Sequence, residues 1–219
     1  MSVDELRLTD VETVRDFRTL AARARAADDD GAVRLVGTGG VLAAYVRALG
    51  PTVLGEAVPT VLGLRTMALQ DDADVDVTVP LGAILDRLAR MPEDGLVLPL
   101  PTVSATAAWA GVLPPRSGWI HEGTVAGEVL VEAARAGIAE VAGVLPERAG
   151  APLVSSARIA VWGRELEGVP GRIPAGAAFG GLSLGFLGTG AEATAYSNGR
   201  WSRLSTVRGH VLVRAAAVL

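Results

Sequence analysis

The sequence predicts an α+β fold: antiparallel sheet layers with about four or five helices, ending in a C-terminal β-meander packed on a buried Gly/Ala-rich helix. Three observations lead there. Asn198–Gly199 lies between runs of alternating apolar residues, the strongest short signal for a β-hairpin. Stretches such as "VPLGAILDRLAR" repeat apolar residues three and four apart and carry helix start and stop residues at their ends. Strand-like runs follow one another across short turns instead of alternating singly with helices, which disfavours a parallel sheet.

Length and composition fit such a fold. The chain has 219 residues, half of them hydrophobic, a fifth charged and 4% aromatic. A core built from Ala, Val, Leu and Gly must gain its buried area from many small side chains in close contact.

The elements follow in order. Thr9 and Glu12 have capping-box spacing, and Val11, Val14, Phe17, Ala21 and Ala24 share one helical face. This predicts a first helix, stopped by "ADDDG". "AVRLVGTGGVLAAYVRALGP" admits two readings, a hairpin turning at its glycines or a strand, glycine loop and helix, and the hairpin is preferred. The dinucleotide fingerprint fails because Leu42 stands where a third small residue is needed. A phosphate loop fails because the chain has no Lys.

"PTVLGLRTMALQ" reads as a buried strand and "DDADVD" as an acidic loop after it. "VPLGAILDRLAR" is a short helix started at Pro80, with Leu81, Ile84, Leu85 and Leu88 inward. A short strand is expected near 96–98 and a helical turn within 103–111. An edge piece around Trp119 leads into a helix from about Thr124 to Gly143, with Leu130, Ala134, Ile138, Val141 and Leu145 on its stripe. "PLVSSARIAVWGREL" is a helix by its early Pro152. The Gly/Ala-rich helix runs over 174–187, with Ala178, Leu182, Phe186 and Leu187 on its apolar side.

In the last hairpin a two-residue turn at Asn198–Gly199 places Ser197 opposite Arg200, Tyr196 opposite Trp201 and Thr194 opposite Arg203. An aromatic pair Tyr196–Trp201 and a diagonal ion pair Glu192–Arg203 would follow. Arg208–Gly209 makes a second turn. On the returning strand Val211 and Val213 face one way, and His210, Leu212 and Arg214 the other.

Charge divides the chain. Residues 1–147 carry 12 Arg and 21 acidic residues; residues 148–219 carry 8 Arg and 3. The expected organisation is an acidic α+β subdomain over 1–147 and a basic subdomain over 148–219, or two such layers of one continuous domain. Opposite charges can steer self-association, and a homodimer is expected.

Several chemistries are excluded or disfavoured. Without cysteine there is no disulfide, thiolate nucleophile or zinc–thiolate site. Two distant histidines and an acidic run lacking the Gly and distal Glu of a calcium loop give no metal site. No G-x-S-x-G elbow occurs, so no catalytic residue and no cofactor is assigned. The uncharged stretches 95–115 and 173–191 are broken by four prolines and six glycines, so no membrane span is expected. "MSVDELRLTD" lacks the features of a secretory signal, and a cytoplasmic location is expected. A net charge of −4 makes nucleic acid an improbable partner.

The residues that chemistry could use cluster late: Trp162, Trp201, Arg203, Arg208, His210 and Arg214 are the candidate ligand-binding set. Arginines interleaved with aromatics suit anions or stacked bases. The motifs "TVLGLR", "VPLGAILDRLAR", "AGIAEVA", "PAGAAFGGLSLGFLG" and "GRWSRLSTVRGHVLVR", in that order, resemble an uncharacterised actinobacterial protein family of unknown function, over most of the chain. The resemblance implies a stand-alone cytoplasmic protein and supplies no activity. The function expected from sequence is non-catalytic, through protein contacts or self-association. The alternatives are a small-molecule or anion binder, conceivably an enzyme, with a pocket in the basic C-terminal part, and, more weakly, nucleic-acid binding through the C-terminal arginines.

Overall fold

The computed structural model describes residues 4–51, 56–146 and 148–216. The chain divides into two compact units: residues 1–47 with 64–113, and residues 48–63 with 114–219. Two long strands, β2 (Ala32–Leu49) and β3 (Thr60–Pro80), run from one unit's residues into the other's. They belong to a six-stranded sheet whose order is β2-β3-β8-β7-β6-β5, with β5 (Ile120–Ala126), β6 (Glu192–Asn198), β7 (Trp201–Thr206) and β8 (Gly209–Arg214). The pairings β5–β6, β6–β7 and β7–β8 are antiparallel, so the C-terminal meander forms as expected. The described residues hold five α-helices, this sheet and a separate two-stranded one, so the fold is α+β.

In the first unit, β1 (Glu5–Arg7) pairs antiparallel with β4 (Val97–Pro99). Helix α1 (Val11–Ala27) packs on α2 (Leu81–Arg90), burying Val14, Phe17, Leu20, Ala21 and Ala24 against a neighbour that buries Leu81, Ile84 and Leu88. The cap of α1 is Asp10, not Thr9: the Asp10 carboxylate accepts the Thr13 N–H at 2.7 Å. That bond also holds the Asp10 carboxyl below its ordinary value. Arg18 reaches from α1 to the Leu88 carbonyl of α2 at 2.7 Å, satisfying one of the orphan acceptors at a helix end.

Two expectations in this unit are overturned. Residues 33–49 form neither a hairpin nor a strand, loop and helix, because β2 continues through its glycines, with Gly39 at φ +54°. A Cβ at Gly37 would lie 2.8 Å from Val75 on β3, so that glycine serves close approach of two chains instead of a turn. "DDADVD" is not a loop either; it is strand. Ala73 and Val75 are buried while Asp71, Asp72, Asp74 and Asp76 are exposed. Two of the exposed acids meet arginines: Asp76 binds Arg34 at 2.7 Å and Asp71 approaches Arg7 at 3.4 Å.

In the second unit, α3 (Gly127–Val144) packs on α4 (Ala151–Trp162) and α5 (Ala175–Ser183), and α5 lies on β8. Helix α5 is buried along its length, as its composition predicts, but stops before residues 184–187. Its glycines admit the sheet. A Cβ at Gly180 would stand 2.6 Å from Val61 and 3.3 Å from Ala48. The buried face of α3 is Gly127, Leu130, Val131, Ala134 and Gly137, rotated from the expected stripe, and Ile138 is exposed. Gly137 lies on that face and leaves room for the Trp162 ring of α4, whose edge atoms a Cβ there would strike. Among the described residues no helix is long and apolar enough to cross a membrane.

Candidate arginine–aromatic face

The meander places alternate residues on opposite faces of its sheet. Ala193, Ala195, Leu204, Val211 and Val213 turn to the core and are at most 1% exposed. The other face carries Tyr196, Trp201, Arg203, Ser205, His210, Leu212 and Arg214. The pairing register decides who meets on it. Asn198 stands opposite Trp201, so the turn residues are Gly199 and Arg200. Gly199 takes φ +57°, a left-handed conformation that glycine adopts at least cost.

Moving the turn by one residue slides every pair by two positions along β7. Tyr196 therefore faces Arg203 and not Trp201, and Trp201 faces Arg214 on β8. The expected Tyr196–Trp201 pair and the Glu192–Arg203 ion pair do not form. Two cation–π contacts replace them: the Arg203 guanidinium carbon lies 4.1 Å from the Tyr196 ring centre, and that of Arg214 lies 5.9 Å from Trp201.

Arg203 has a second ring on it. Trp119, which precedes β5, stands with its ring centre 4.6 Å from the same guanidinium carbon. Trp119 is held there by its indole N–H, which donates to the Pro115 carbonyl at 3.0 Å. His121 meets the edge of Tyr196 at 5.6 Å. The Nε of Arg203 is buried and hydrogen-bonds to nothing among the described residues. Burial pushes the guanidinium below its ordinary value, and the Tyr196 neighbour offsets part of that.

His210 faces Ser205 across β7 and β8, with Nδ1 2.9 Å from the hydroxyl oxygen. Burial, then the charge of Arg203, hold the imidazole below its ordinary value. Among the described residues no carboxylate orients this histidine, so the pair lacks the third member that nucleophilic catalysis by a serine uses.

The structure thus gathers Trp201, Arg203, His210 and Arg214 on one face. Arg208 sits at the tip between β7 and β8, its N–H donating to the Thr206 hydroxyl at 3.1 Å. Trp162 is elsewhere, 4% exposed in the helical layer and 4.7 Å from the Phe179 ring. None of the six lines a cavity of about 440 Å3 in this unit, which is bounded by Pro59, Glu165, Arg172, Arg200 and Ser202 among others. Trp119 was missed by sequence reasoning. Local spacing carries no signal that joins it to Arg203, since the two meet only through the β5–β6–β7 pairing. No group of three or more potential metal ligands comes together among the described residues.

Residues 1–111 match the family model of a domain of unknown function, DUF8010. The chain belongs to that family. Beyond the DUF8010 segment, residues 114–218 match a second domain of unknown function, DUF8185. Comparison with curated proteins found no match.

Solved structures similar to this DUF8010–DUF8185 chain include a DNA polymerase III beta subunit from Eubacterium rectale, with 5% identity, 98% of this chain and 66% of that one covered, and a TM-score of 0.58. The DnaN sliding clamp of Bartonella birtlesii is similar at 10% identity, 98% and 65% coverage and a TM-score of 0.53. The DNA polymerase III beta subunit of Thermotoga maritima is similar at 14% identity, 98% and 65% coverage and a TM-score of 0.51. The chain spans just under two thirds of the length of these structures. At such identities the likeness establishes a shared fold. It also corrects the function expected from sequence. A sliding-clamp fold followed along nearly the whole chain overturns its small-molecule or anion pocket in the basic C-terminal part.

Proposed function

We propose that this chain is a clamp-like protein that works by contact, assembling edge to edge with copies of itself as a homodimer in the cytoplasm. The observation that carries the reading is the sliding-clamp fold over 98% of the chain. The sheet supports it. Its two outermost strands are β2 and β5, and each bears an exposed apolar residue, Val41 at 50% and Ile120 at 64%. Long edge strands with apolar residues are templates for pairing with another chain. Because the two edges differ, β2 of one copy meeting β5 of the next is a head-to-tail contact, which closes into a ring when the rotation between copies allows.

Sedimentation of the full chain tests this. Wild type is expected to associate in a concentration-dependent way, and Ile120→Lys and Val41→Lys to shift it to monomer with unchanged circular dichroism. Wild type that stays monomeric through the micromolar range sinks the reading.

A second contact is favoured by one observation. The α1–α2 pair of the first unit exposes Arg15, Arg18, Arg23 and Arg90. A net charge of −4 says nothing against such a face, because charge acts locally within a Debye length of about 10 Å. We assign this face to duplex DNA. Anisotropy of a labelled duplex should show binding that weakens with salt and falls in Arg15→Gln/Arg23→Gln; binding unchanged by that double variant removes the assignment.

A further inference from the structure

We propose that the half-buried face of the β6–β7–β8 meander, centred on Arg203 between Trp119 and Tyr196, docks an acidic peptide segment of a partner protein, whose carboxylate pairs with the Arg203 guanidinium. The contact is separate from the edge-to-edge assembly, since it uses the face of the sheet and not its outer strand.

The argument begins with where the arginines of this chain find anions. Arg34, Arg158, Arg164 and Arg172 each meet a carboxylate. Arg203 does not, although it is the arginine most constrained by its surroundings. Two rings clamp its plane at 4.1 and 4.6 Å, so the fork of N–H donors is held in one orientation before any partner arrives. Its Nε is buried without an acceptor, so a carboxylate approaching from solvent pairs with the remaining N–H donors of the fork. A half-buried guanidinium fixed in plane loses less on binding than a fully solvated, mobile one.

The neighbours give the face its sign. Arg214 lies over Trp201, and Arg200 donates to the Ala215 carbonyl at 3.0 Å instead of to an acid. Glu192 is carried to the far end of β6, opposite Ala126. His210 adds a polar ring beside Arg203 that stays neutral at neutral pH. Tryptophan, tyrosine and arginine together are the residue types that dominate binding energy at protein interfaces. The donors lie on a half-buried sheet face, and an extended chain segment is the occupant suited to such a surface.

The probe is a fluorescein-labelled peptide of alternating Glu and Leu, titrated with the full chain and followed by anisotropy, against the same peptide with Gln for Glu. The Glu peptide is expected to bind at least about tenfold more tightly than the Gln peptide, a difference of about 1.4 kcal/mol. Arg203→Gln should remove most of that preference. Arg203→Lys, which keeps the charge and loses the planar stack, should remove a large part of it, and Trp119→Ala should weaken binding with the charge untouched. Arg148→Gln, an exposed arginine elsewhere in the unit, should change nothing. Equal binding of both peptides, binding of neither, or an Arg148→Gln loss as large as that of Arg203→Gln each overturns the proposal. The comparison of the two peptides on wild type decides even if the variants fold poorly.

Discussion

Tyr196 and Arg203 stand opposite each other across β6 and β7, with the guanidinium carbon 4.1 Å from the ring centre and no carboxylate on the arginine. The contact is half-buried, where cation–π attraction is worth about 0.5–2 kcal/mol. A double-mutant cycle with Tyr196→Leu and Arg203→Met should therefore return a coupling energy in that range by chemical denaturation. Additive effects would mean that the two side chains only fill space.

The turn that sets this register depends on Gly199. A Cβ there meets nothing within 4 Å, so any cost of substitution comes from the backbone at φ +57°. Gly199→Ala should lose about 1 kcal/mol, Gly199→Asn less and Gly199→Val more, read from melting temperatures. Equal stability of all three would place the turn elsewhere.

That hairpin shows what a sequence can and cannot say. Asn-Gly correctly announced a hairpin, and alternation correctly put Tyr196, Trp201 and Arg203 on one face. The partner within the face was out of reach, because a one-residue move of the turn preserves every inward and outward assignment while exchanging every pair. The acidic run "DDADVD" was legible and misread. Its charge suggests a loop, yet the alternation of Asp with Ala and Val from Asp72 to Asp76 is the period of a half-buried strand. The glycines of β2 and α5 look alike in sequence; only the partner that each admits, Val75 or Val61, tells a turn from a close approach. Trp119 needed the tertiary fold.

His210 predicts a pH dependence. Burial and Arg203 hold its folded-state value below the ordinary 6.5. As pH falls the unfolded chain takes up the proton first, so stability declines through that window and levels off only below the folded value. Above the ordinary value both states are neutral and the group contributes nothing. His210→Gln should flatten the fall in melting temperature between about pH 7 and pH 5. An unchanged profile would assign the dependence to other groups.

Gly137 predicts a packing cost. A Cβ there would come within 2.8 Å of Trp162 Cη2 and 3.2 Å of Val161, both on α4. Alanine ordinarily gains about 1 kcal/mol over glycine inside a helix. Crowding a well-packed interface costs about 1–3 kcal/mol, so Gly137→Ala should be neutral to destabilising where helix propensity alone predicts a gain. Denaturant midpoints decide the sign.

The exchange of residues 48–63 bears on how this protein can be inherited. The two family matches part between residues 111 and 114, as though the gene carried two cassettes. In space the second unit borrows residues 48–63 from the first cassette, including Val61, against which Gly176 and Gly180 of α5 are fitted. The later cassette is not self-sufficient on that division: alone it would leave the glycine faces of α5 without their counterpart. Shuffling between genes at that junction would break a core, so the two halves must be transmitted together, and each constrains substitution in the other.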